Sequence, residues 1–201
     1  MPKVVDHEQR RHAVAEAVWR LAARSGLEAV SLAEVAAEAG VSKGHVQHYF
    51  TNRDELLRYA AGRAGERRCD RVLRQLPEHR TPLDLLRAAL AAFLPTDADS
   101  RADALLENAF LIRAITDERL AADLLRVHRQ TLGALQCLLA EAQNAGQLHP
   151  DLDPAVEAPR LLALTTGLAT HLLLGHQDTG AALATLDGAL DQLRTTTEAP
   201  R

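Results

Sequence analysis

The sequence predicts an all-α protein in which an N-terminal three-helix domain is joined to a C-terminal helical bundle, with about nine helices in total. Ala and Leu dominate the composition and aromatic residues make up only 3% of the chain, a balance that favours helix. Apolar residues recur at spacings of three and four along most of the chain. Capping residues precede these segments and Gly or Pro follows them, which predicts helices with defined ends and no strand.

Composition and charge restrict the class of protein. The 201 residues are 47% apolar and 25% charged, as in ordinary globular proteins. Two cysteines, Cys69 and Cys137, are too few for a disulfide framework or a cysteine-based zinc site. The N-terminus lacks the pattern of a signal peptide, and no segment approaches the roughly 20 apolar residues of a membrane span. We therefore expect a cytoplasmic protein with no membrane partner.

The charge is distributed unevenly. The formal net charge is −4, but residues 1–68 carry 11 Lys and Arg against 9 Asp and Glu, and residues 69–201 carry 12 against 18. Any surface that meets a polyanion is therefore expected in the first third of the chain.

The first three helices have clear boundary signals. Apolar residues at helical spacing predict the first helix from residue 6 to residue 24, with Ser25 and Gly26 as its end. Ser31 and Glu34 have the spacing of a capping box for a second helix that ends at Gly40. Ser42 is the predicted cap of a third helix. The residues predicted to face the core of these helices are Val14, Ala17, Val18, Leu21, Leu32, Val35, Ala36, Ala39, Val46 and Phe50.

The later helices follow the same pattern. Asn52 and Glu55 have capping-box spacing and open a long fourth helix toward Leu76. Five further helices are predicted, starting at Thr81-Pro82, Ser100, Thr116, Asp153-Pro154 and Asp178 or Thr179, and ending near Pro95, Ile115, Ala145, Gly175 and Arg194. The predicted domains are 6–52 and 53–196.

Residues 31–50 have the spacing of a helix-turn-helix. Two short helices, 32–39 and about 43–49, are separated by the tight turn Gly40-Val41-Ser42, which leaves the second helix free to enter a major groove. With Val46 and Phe50 in the core, the side chains left to point outward are Lys43, His45, Gln47 and His48. No Asp or Glu occurs between Glu38 and Asp54, which suits a surface that approaches phosphates.

Spacing by itself leaves an alternative open. The same segment could be a plain helical hairpin, as in a protein-binding helical adaptor. An enzyme is a weaker alternative, because Cys137 and His128 lie nine residues apart on one predicted helix, about 13 Å at ~1.5 Å per residue. Asp123 lies still further from the thiol.

Residues 10–60 resemble the DNA-binding domain of the TetR family of transcriptional regulators. The similar features are Gly26 at the end of the first helix, Ala36-x-x-x-Gly40-Val41-Ser42, Gly44, Tyr49-Phe50 and Arg53-Asp54-x-Leu56-Leu57. The C-terminal part resembles, more loosely, the branch typified by the betaine-synthesis regulator, through residues 109–114, 146–161, 167–168 and 172–174. The resemblance implies a ligand-responsive regulator, expected to be a repressor. It would bind palindromic double-stranded operator DNA as a homodimer and respond to a small molecule in the C-terminal bundle.

The resemblance also implies roles for individual residues. Ser31 and Ser42 match phosphate-contacting caps, and Arg53 matches a position, usually lysine, whose cation contacts a backbone phosphate. The residues that match the recognition-helix surface are Lys43, Gly44, Gln47, His48 and Tyr49. Gln47 stands where the common pattern has tyrosine, and glutamine can read adenine.

The effector site and the dimer interface are predicted less directly. Effector-site candidates are bundle residues, mostly polar ones within apolar stretches, and comprise Phe93, Asn108, Phe110, Arg113, His128, Thr165, Thr166 and His171. With so few aromatic residues in the bundle, an aromatic cage for a quaternary ammonium is not expected. The predicted dimer seam is formed by leucines at spacings of three and four in the last two helices: Leu161, Leu164, Leu168, Leu172, Leu183, Leu186, Leu190 and Leu193.

Neither a metal site nor a cofactor is expected. His7 and His12, like His171 and His176, are five residues apart, whereas a spacing of four places two imidazoles on one helical face. His45 and His48 have no nearby carboxylate in the sequence. No phosphate-binding glycine loop or nucleophile elbow is present.

Overall fold

A computed structural model describes residues 3–76 and 80–195 of the protein. Within these ranges the chain forms nine α-helices and no strand, which confirms the predicted fold class. The helices are α1 Lys3–Ser25, α2 Leu32–Glu38, α3 Lys43–Tyr49, α4 Arg53–Gln75, α5 Pro82–Ala91, α6 Ala98–Ala114, α7 Glu118–Asn144, α8 Pro154–Leu173 and α9 Thr179–Asp191. A short 3₁₀ turn, Leu27–Ala29, precedes α2. None of the described helices is long and apolar enough to cross a membrane.

Side-chain caps begin the first domain's helices where the sequence places them. The Ser31 hydroxyl accepts from Glu34 N at 3.1 Å, and the Ser42 hydroxyl accepts from His45 N at 3.1 Å. Asn52 caps α4, but the predicted reciprocal contact is wrong. The Glu55 carboxylate accepts instead from the backbone and hydroxyl of Thr51, at 2.8 and 2.7 Å, because Thr51 offers it two donors.

Two later helices begin at residues other than those predicted. α6 starts at Ala98 rather than Ser100, because Asp97 and Ser100 form a reciprocal capping box in which Ser100 is the third helical residue. α7 starts at Glu118, since Asp117 and not Thr116 caps it. For α6 the three-residue spacing of Asp97 and Ser100 allows the reciprocal box, and for α7 aspartate is a better cap than threonine.

The first of two apolar clusters joins the helix-turn-helix to part of the bundle. It comprises buried residues of α1 to α4 together with α6 and the start of α7, including Val18, Trp19, Val35, Val46, Phe50, Leu56, Leu106, Phe110 and Leu120. The packing therefore crosses the predicted domain boundary after residue 52, since α6 contacts α1 directly. The end of the second predicted domain, residue 196, lies outside the described residues.

The second cluster is formed by α5, the C-terminal half of α7, α8 and α9. Its buried members include Leu83, Leu86, Leu90, Leu135, Leu139, Leu161, Leu168, Leu186 and Leu190. Because α7 contributes to both clusters, this 27-residue helix links the N-terminal helices to the rest of the bundle.

Buried charges lie where α1, α4 and α6 meet. Arg67 of α4 donates to Glu16 of α1 at 2.5 Å and to Asp103 of α6 at 3.2 Å. Asp103 is only 2% exposed and also accepts from Arg71. Arg68 pairs with Glu107 of α6. These pairs connect three helices through groups that are costly to leave unpaired.

Candidate nucleic-acid interface

The helix-turn-helix is built from α2, a tight turn and α3. Gly40 has φ 68°, a left-handed conformation that costs other residues free energy. This turn lets Val41 N donate to Ala36 O at 2.9 Å. Val46 and Phe50 are fully buried, and they fix which side of α3 faces away from the protein.

The outward side of α3 carries donors and no acid. Lys43, Gln47 and His48 are exposed and His45 is half-buried, as the spacing predicts. Tyr49 differs, because it is 9% exposed and packs in the first cluster. Its predicted place on the open recognition surface is therefore corrected to the edge of the core.

Gly44 is not required by the subunit's own packing. A Cβ built at this position would meet only the Ser42 hydroxyl, at 3.9 Å, an ordinary contact distance. Gly44 is exposed on α3 and has no positive φ. The absence of a side chain at this point leaves room for an external surface to approach the backbone.

Acidic groups near the motif are bound to neighbouring side chains. Arg20 and Arg24 of α1 bond to the Glu38 carboxylate at 2.9 and 2.7 Å. The hydrogen bonds from Arg24 and then Arg20 hold the pKa of Glu38 below its ordinary value. At the start of α4, Arg113 of α6 donates to Asp54 at 2.8 Å and in the same way lowers the pKa of Asp54.

Arg53 has a structural role in this conformation. Its guanidinium donates to Val30 O at 2.6 Å and to Leu27 O at 2.7 Å, which ties the start of α4 to the segment before α2. The guanidinium from which a phosphate contact was expected is therefore already bonded to two backbone carbonyls.

A histidine from α1 joins this surface, which the sequence analysis did not anticipate. The His7 ring lies 6.1 Å from the His48 ring and 4.7 Å from the Tyr49 ring, centroid to centroid. Contact between α1 and α3 depends on the tertiary packing, so local spacing gives no signal for it. The described residues contain no group of three or more His, Cys, Asp or Glu side chains placed to bind a metal ion.

The predicted effector residues differ in burial. Phe110 is buried in the first cluster, and Thr165 is buried with its hydroxyl bonded to Leu161 O at 2.7 Å. His128, Thr166 and His171 are exposed. The sequence could not distinguish the buried candidates from the exposed ones, because polarity within an apolar stretch does not reveal which face of a helix is covered.

The other three candidates have partners of their own. Arg113 pairs with Asp54, and the Asn108 amide donates to Ala104 O at 2.9 Å. The Phe93 ring lies 3.7 Å below the Arg68 guanidinium. A cleft of about 270 Å³ between α5 and α9 is lined by different residues, namely Leu83, Asp84, Arg87, Asp187, Leu190, Asp191 and Arg194.

The predicted dimer seam is wrong for its buried members. Leu161, Leu168, Leu186 and Leu190 are 0–6% exposed within a single subunit. The remaining four leucines of the seam, Leu164, Leu172, Leu183 and Leu193, are partly buried against the same cluster. These leucines fill the subunit's own core, because α5 and α7 cover them.

The faces of α8 and α9 that point away from this cluster are lined by small and apolar residues. On α8 the exposed positions include Val156, Ala163, Gly167 and Leu174, just past its end, and on α9 they include Ala181, Ala184 and Gly188. Val156 is 51% and Leu174 62% exposed. Small residues at helical spacing permit close approach of another helix. The sequence predicts close approach at Gly167 and Ala169, of which Gly167 lies on this face and Ala169 is buried.

Together, the two capped helices, the left-handed turn and the acid-free outer face define a DNA-binding helix-turn-helix on a helical bundle. Family models agree with this class over both parts of the chain. Residues 15–60 match the model for bacterial regulatory proteins of the tetR family, and residues 82–195 match the model for the C-terminal part of BetI-type transcriptional repressors. The chain belongs to the TetR family and is a transcriptional regulator, not an enzyme.

Relatives support the same assignment. The HTH-type transcriptional regulator PksA of Bacillus subtilis (strain 168) is 33% identical over 175 residues, which cover 87% of this chain and 83% of that protein. The HTH-type transcriptional regulator BetI of Burkholderia cenocepacia is 44% identical over 57 residues, 28% of this chain and 29% of that protein.

Solved structures share the fold. A TetR-family regulator from Rhodococcus sp. has a TM-score of 0.80 at 25% identity and covers 94% of this chain and 100% of its own. A regulator from Saccharomonospora viridis in complex with choline has a TM-score of 0.79 at 21% identity, covering 92% and 96%. At that identity, the second likeness concerns the fold alone.

Proposed function

We propose that this protein is a repressor that binds palindromic operator DNA as a homodimer and is controlled by a small molecule bound in its C-terminal bundle. The observation that carries this proposal is the outer face of α3. That face presents Lys43, Gln47 and His48 to solvent, with Gly44 leaving room at the backbone. It contains no Asp or Glu, so a phosphate backbone meets donors there and no repelling charge.

The roles within this face differ. Lys43 is proposed to contribute phosphate affinity that does not depend on base sequence, whereas Gln47 is proposed to read a base edge. Ser31 and Ser42, which cap α2 and α3, are also proposed to contact phosphates. The buried Tyr49 is proposed to support the histidines around it, and Arg53 to position α4.

The homodimer is proposed to form through the outward faces of α8 and α9. A two-fold interface brings the same patch of both subunits together, and small residues let four helices pack closely around the axis. The charged residues exposed on these helices, such as Arg160 and Asp191, would lie at the rim.

Effector control is proposed to reach α3 through α6 and α7. A molecule bound in the bundle displaces helices of the second cluster, and α7 belongs to both clusters. α6 packs directly against α1, so its displacement changes the position of the DNA-binding helices. An operator with half-sites about 34 Å apart requires a fixed separation of the two recognition helices, which makes binding sensitive to such a shift.

The DNA-binding role is tested by salt titration with a matched control. The Lys43→Ala variant is expected to weaken binding to every duplex and to reduce the slope of log K against log salt by about 0.9. Arg129→Ala, which removes an exposed cation from α7, should leave both affinity and slope unchanged. Equal affinities and slopes for all three proteins would remove α3 from the DNA interface.

A further inference from the structure

Three imidazoles converge on one aromatic ring at the proposed DNA surface. The centroids of the His7, His45 and His48 rings lie 4.7, 5.2 and 5.0 Å from the centroid of the Tyr49 ring. All three contacts are edge-type, with interplanar angles of 61–83°. His7 and His48 are exposed and His45 is half-buried, so solvent and external anions can reach the cluster.

Most carboxylates near this cluster have partners other than its imidazoles. On α1 the Glu8 carboxylate accepts from the Tyr59 hydroxyl at 2.6 Å. The acids of α2 and of the first turn of α4 with recorded partners are Glu38 with Arg20 and Arg24, Asp54 with Arg113, and Glu55 with Thr51. Glu34 is exposed at the start of α2. Among the side chains that the structure describes, which begin on α1 at His7, none of these acids has a recorded bond to the three imidazoles.

The neighbouring cations leave the same surface positive. Lys43 is exposed on α3. Arg11 of α1 lies over the rings of Phe50 and Tyr59, 5.0 and 4.5 Å from their centroids. Arg53 of α4 bonds to backbone carbonyls. Protonated imidazoles at this surface therefore increase its positive charge.

A phosphate next to an imidazole favours the charged form of that side chain. Imidazole is the side chain that changes charge between pH 5 and 8. Three imidazoliums around one ring repel each other, although the face of a tyrosine ring attracts a cation within about 6 Å. A phosphate diester at the cluster supplies the missing negative charge and favours the protonated forms. By linkage, if phosphate binding favours protonation of these histidines, then DNA binds more tightly at lower pH.

We propose that His7, His45 and His48 form a proton-dependent phosphate-binding site, through which the protein takes up protons when it binds DNA and holds DNA more tightly at pH 6 than at pH 8. This inference rests on the proposed DNA-binding function and assigns a new contact to α1, outside the helix-turn-helix. The ligand group is the backbone phosphate, so the effect is the same for all base sequences.

The test compares DNA affinity at two pH values. Binding of a fluorescent 30-base-pair duplex of mixed sequence is measured by anisotropy at pH 6.0 and 8.0, at constant ionic strength with EDTA present. Wild type is expected to bind at least about tenfold more tightly at pH 6.0, because three imidazoles that change charge in this range are each coupled to phosphate binding. In the His7→Gln, His45→Gln, His48→Gln triple variant, the change should fall below about twofold.

A histidine away from both proposed interfaces provides the control. His128 is exposed on α7, which contributes no residue to the three-imidazole cluster. The His128→Gln variant is expected to keep the wild-type pH dependence. Loss of the pH dependence in this control as well would overturn the assignment to the α1–α3 cluster.

Calorimetry gives a readout that needs no variant. Titration of wild type with the same duplex at pH 7.0, in two buffers of different ionisation enthalpy, is expected to show net uptake of at least about one proton per subunit. A wild type that binds the duplex equally well at both pH values, with no proton uptake, overturns the phosphate site and leaves the DNA-binding function intact. A wild type that binds no duplex at either pH contradicts the DNA-binding function itself.

Discussion

At Gly44 the folded subunit leaves room for a larger side chain, yet the position lies on the proposed DNA surface. Because a Cβ there meets only the Ser42 hydroxyl at 3.9 Å and alanine favours helix over glycine, Gly44→Ala should raise the free energy of unfolding by about 0.5–1 kcal/mol. The same methyl group obstructs close approach of DNA, so affinity should fall. Thermal unfolding and anisotropy on one preparation measure both effects.

The Gly40→Ala variant is the control for the stability change expected of Gly44→Ala. Its φ of 68° is unfavourable for alanine, so Gly40→Ala should lower stability by about 1–2 kcal/mol. If Gly44→Ala binds DNA as tightly as wild type, α3 does not approach the DNA backbone at this residue.

Glu38 makes stability depend on pH. Arg24 and Arg20 hold its pKa below the ordinary value of 4.5, so the stabilisation is present above that value and is lost as pH falls through the lowered folded-state pKa. Glu38→Gln should therefore lower the melting temperature at pH 7, and the difference from wild type should shrink below pH 4.5. Glu141→Gln, at an exposed site on α7, should show no such pH-dependent difference in thermal denaturation.

At the scale of single helices, the outward faces of α8 and α9 form the proposed dimer interface. Ala163→Glu together with Ala184→Glu places four carboxylates per dimer in the proposed interface, where unpaired charge is costly. This variant should sediment as a folded monomer and lose operator affinity. Ala122→Glu, at an exposed alanine of α7, should remain dimeric. A dimeric Ala163→Glu, Ala184→Glu protein would place the interface on another surface.

The leucines of the same helices should behave differently. Leu186 and Leu190 are 0% and 3% exposed within one subunit, so replacing either by glutamate buries an unpaired charge in the core. We expect these variants to unfold, with loss of helical circular dichroism, instead of giving a folded monomer. A stable, folded Leu186→Glu subunit would contradict the packing described for α9.

How far the sequence predicts these elements depends on how local the signals are. The starts of α2, α3 and α4 are predicted correctly because the caps Ser31, Ser42 and Asn52 act within three residues. The role of the leucines could not be predicted, since spacing reveals an apolar face but not whether the same subunit or a partner covers it. His7 was missed in the candidate site for the same reason, because its approach to α3 depends on how α1 packs. The effector-site residues stay a prediction, because polarity says little about which face of a helix is enclosed.

At the scale of the whole molecule, Asp103 connects the two parts of the protein. It is 2% exposed and accepts from Arg67 and Arg71, while Arg67 also reaches Glu16 of α1. Asp103→Ala leaves two arginines without their shared partner and should lower the free energy of unfolding by about 3–5 kcal/mol. Asp123→Ala removes one side of an exposed pair with Arg126 and should cost less than about 1 kcal/mol. Chemical denaturation that gives equal losses for both variants would contradict the structural role of Asp103.

The central claim is that two copies of α3, held at a fixed separation, recognise a palindromic operator. The most direct measurement is selection of binding fragments from the DNA of the source organism, followed by a footprint on the selected fragments. The account predicts a protected segment with two-fold symmetry, whose half-sites are centred about 34 Å or a multiple of it apart. Failure to select any fragment, or a footprint that covers a single half-site occupied by one subunit, would contradict it.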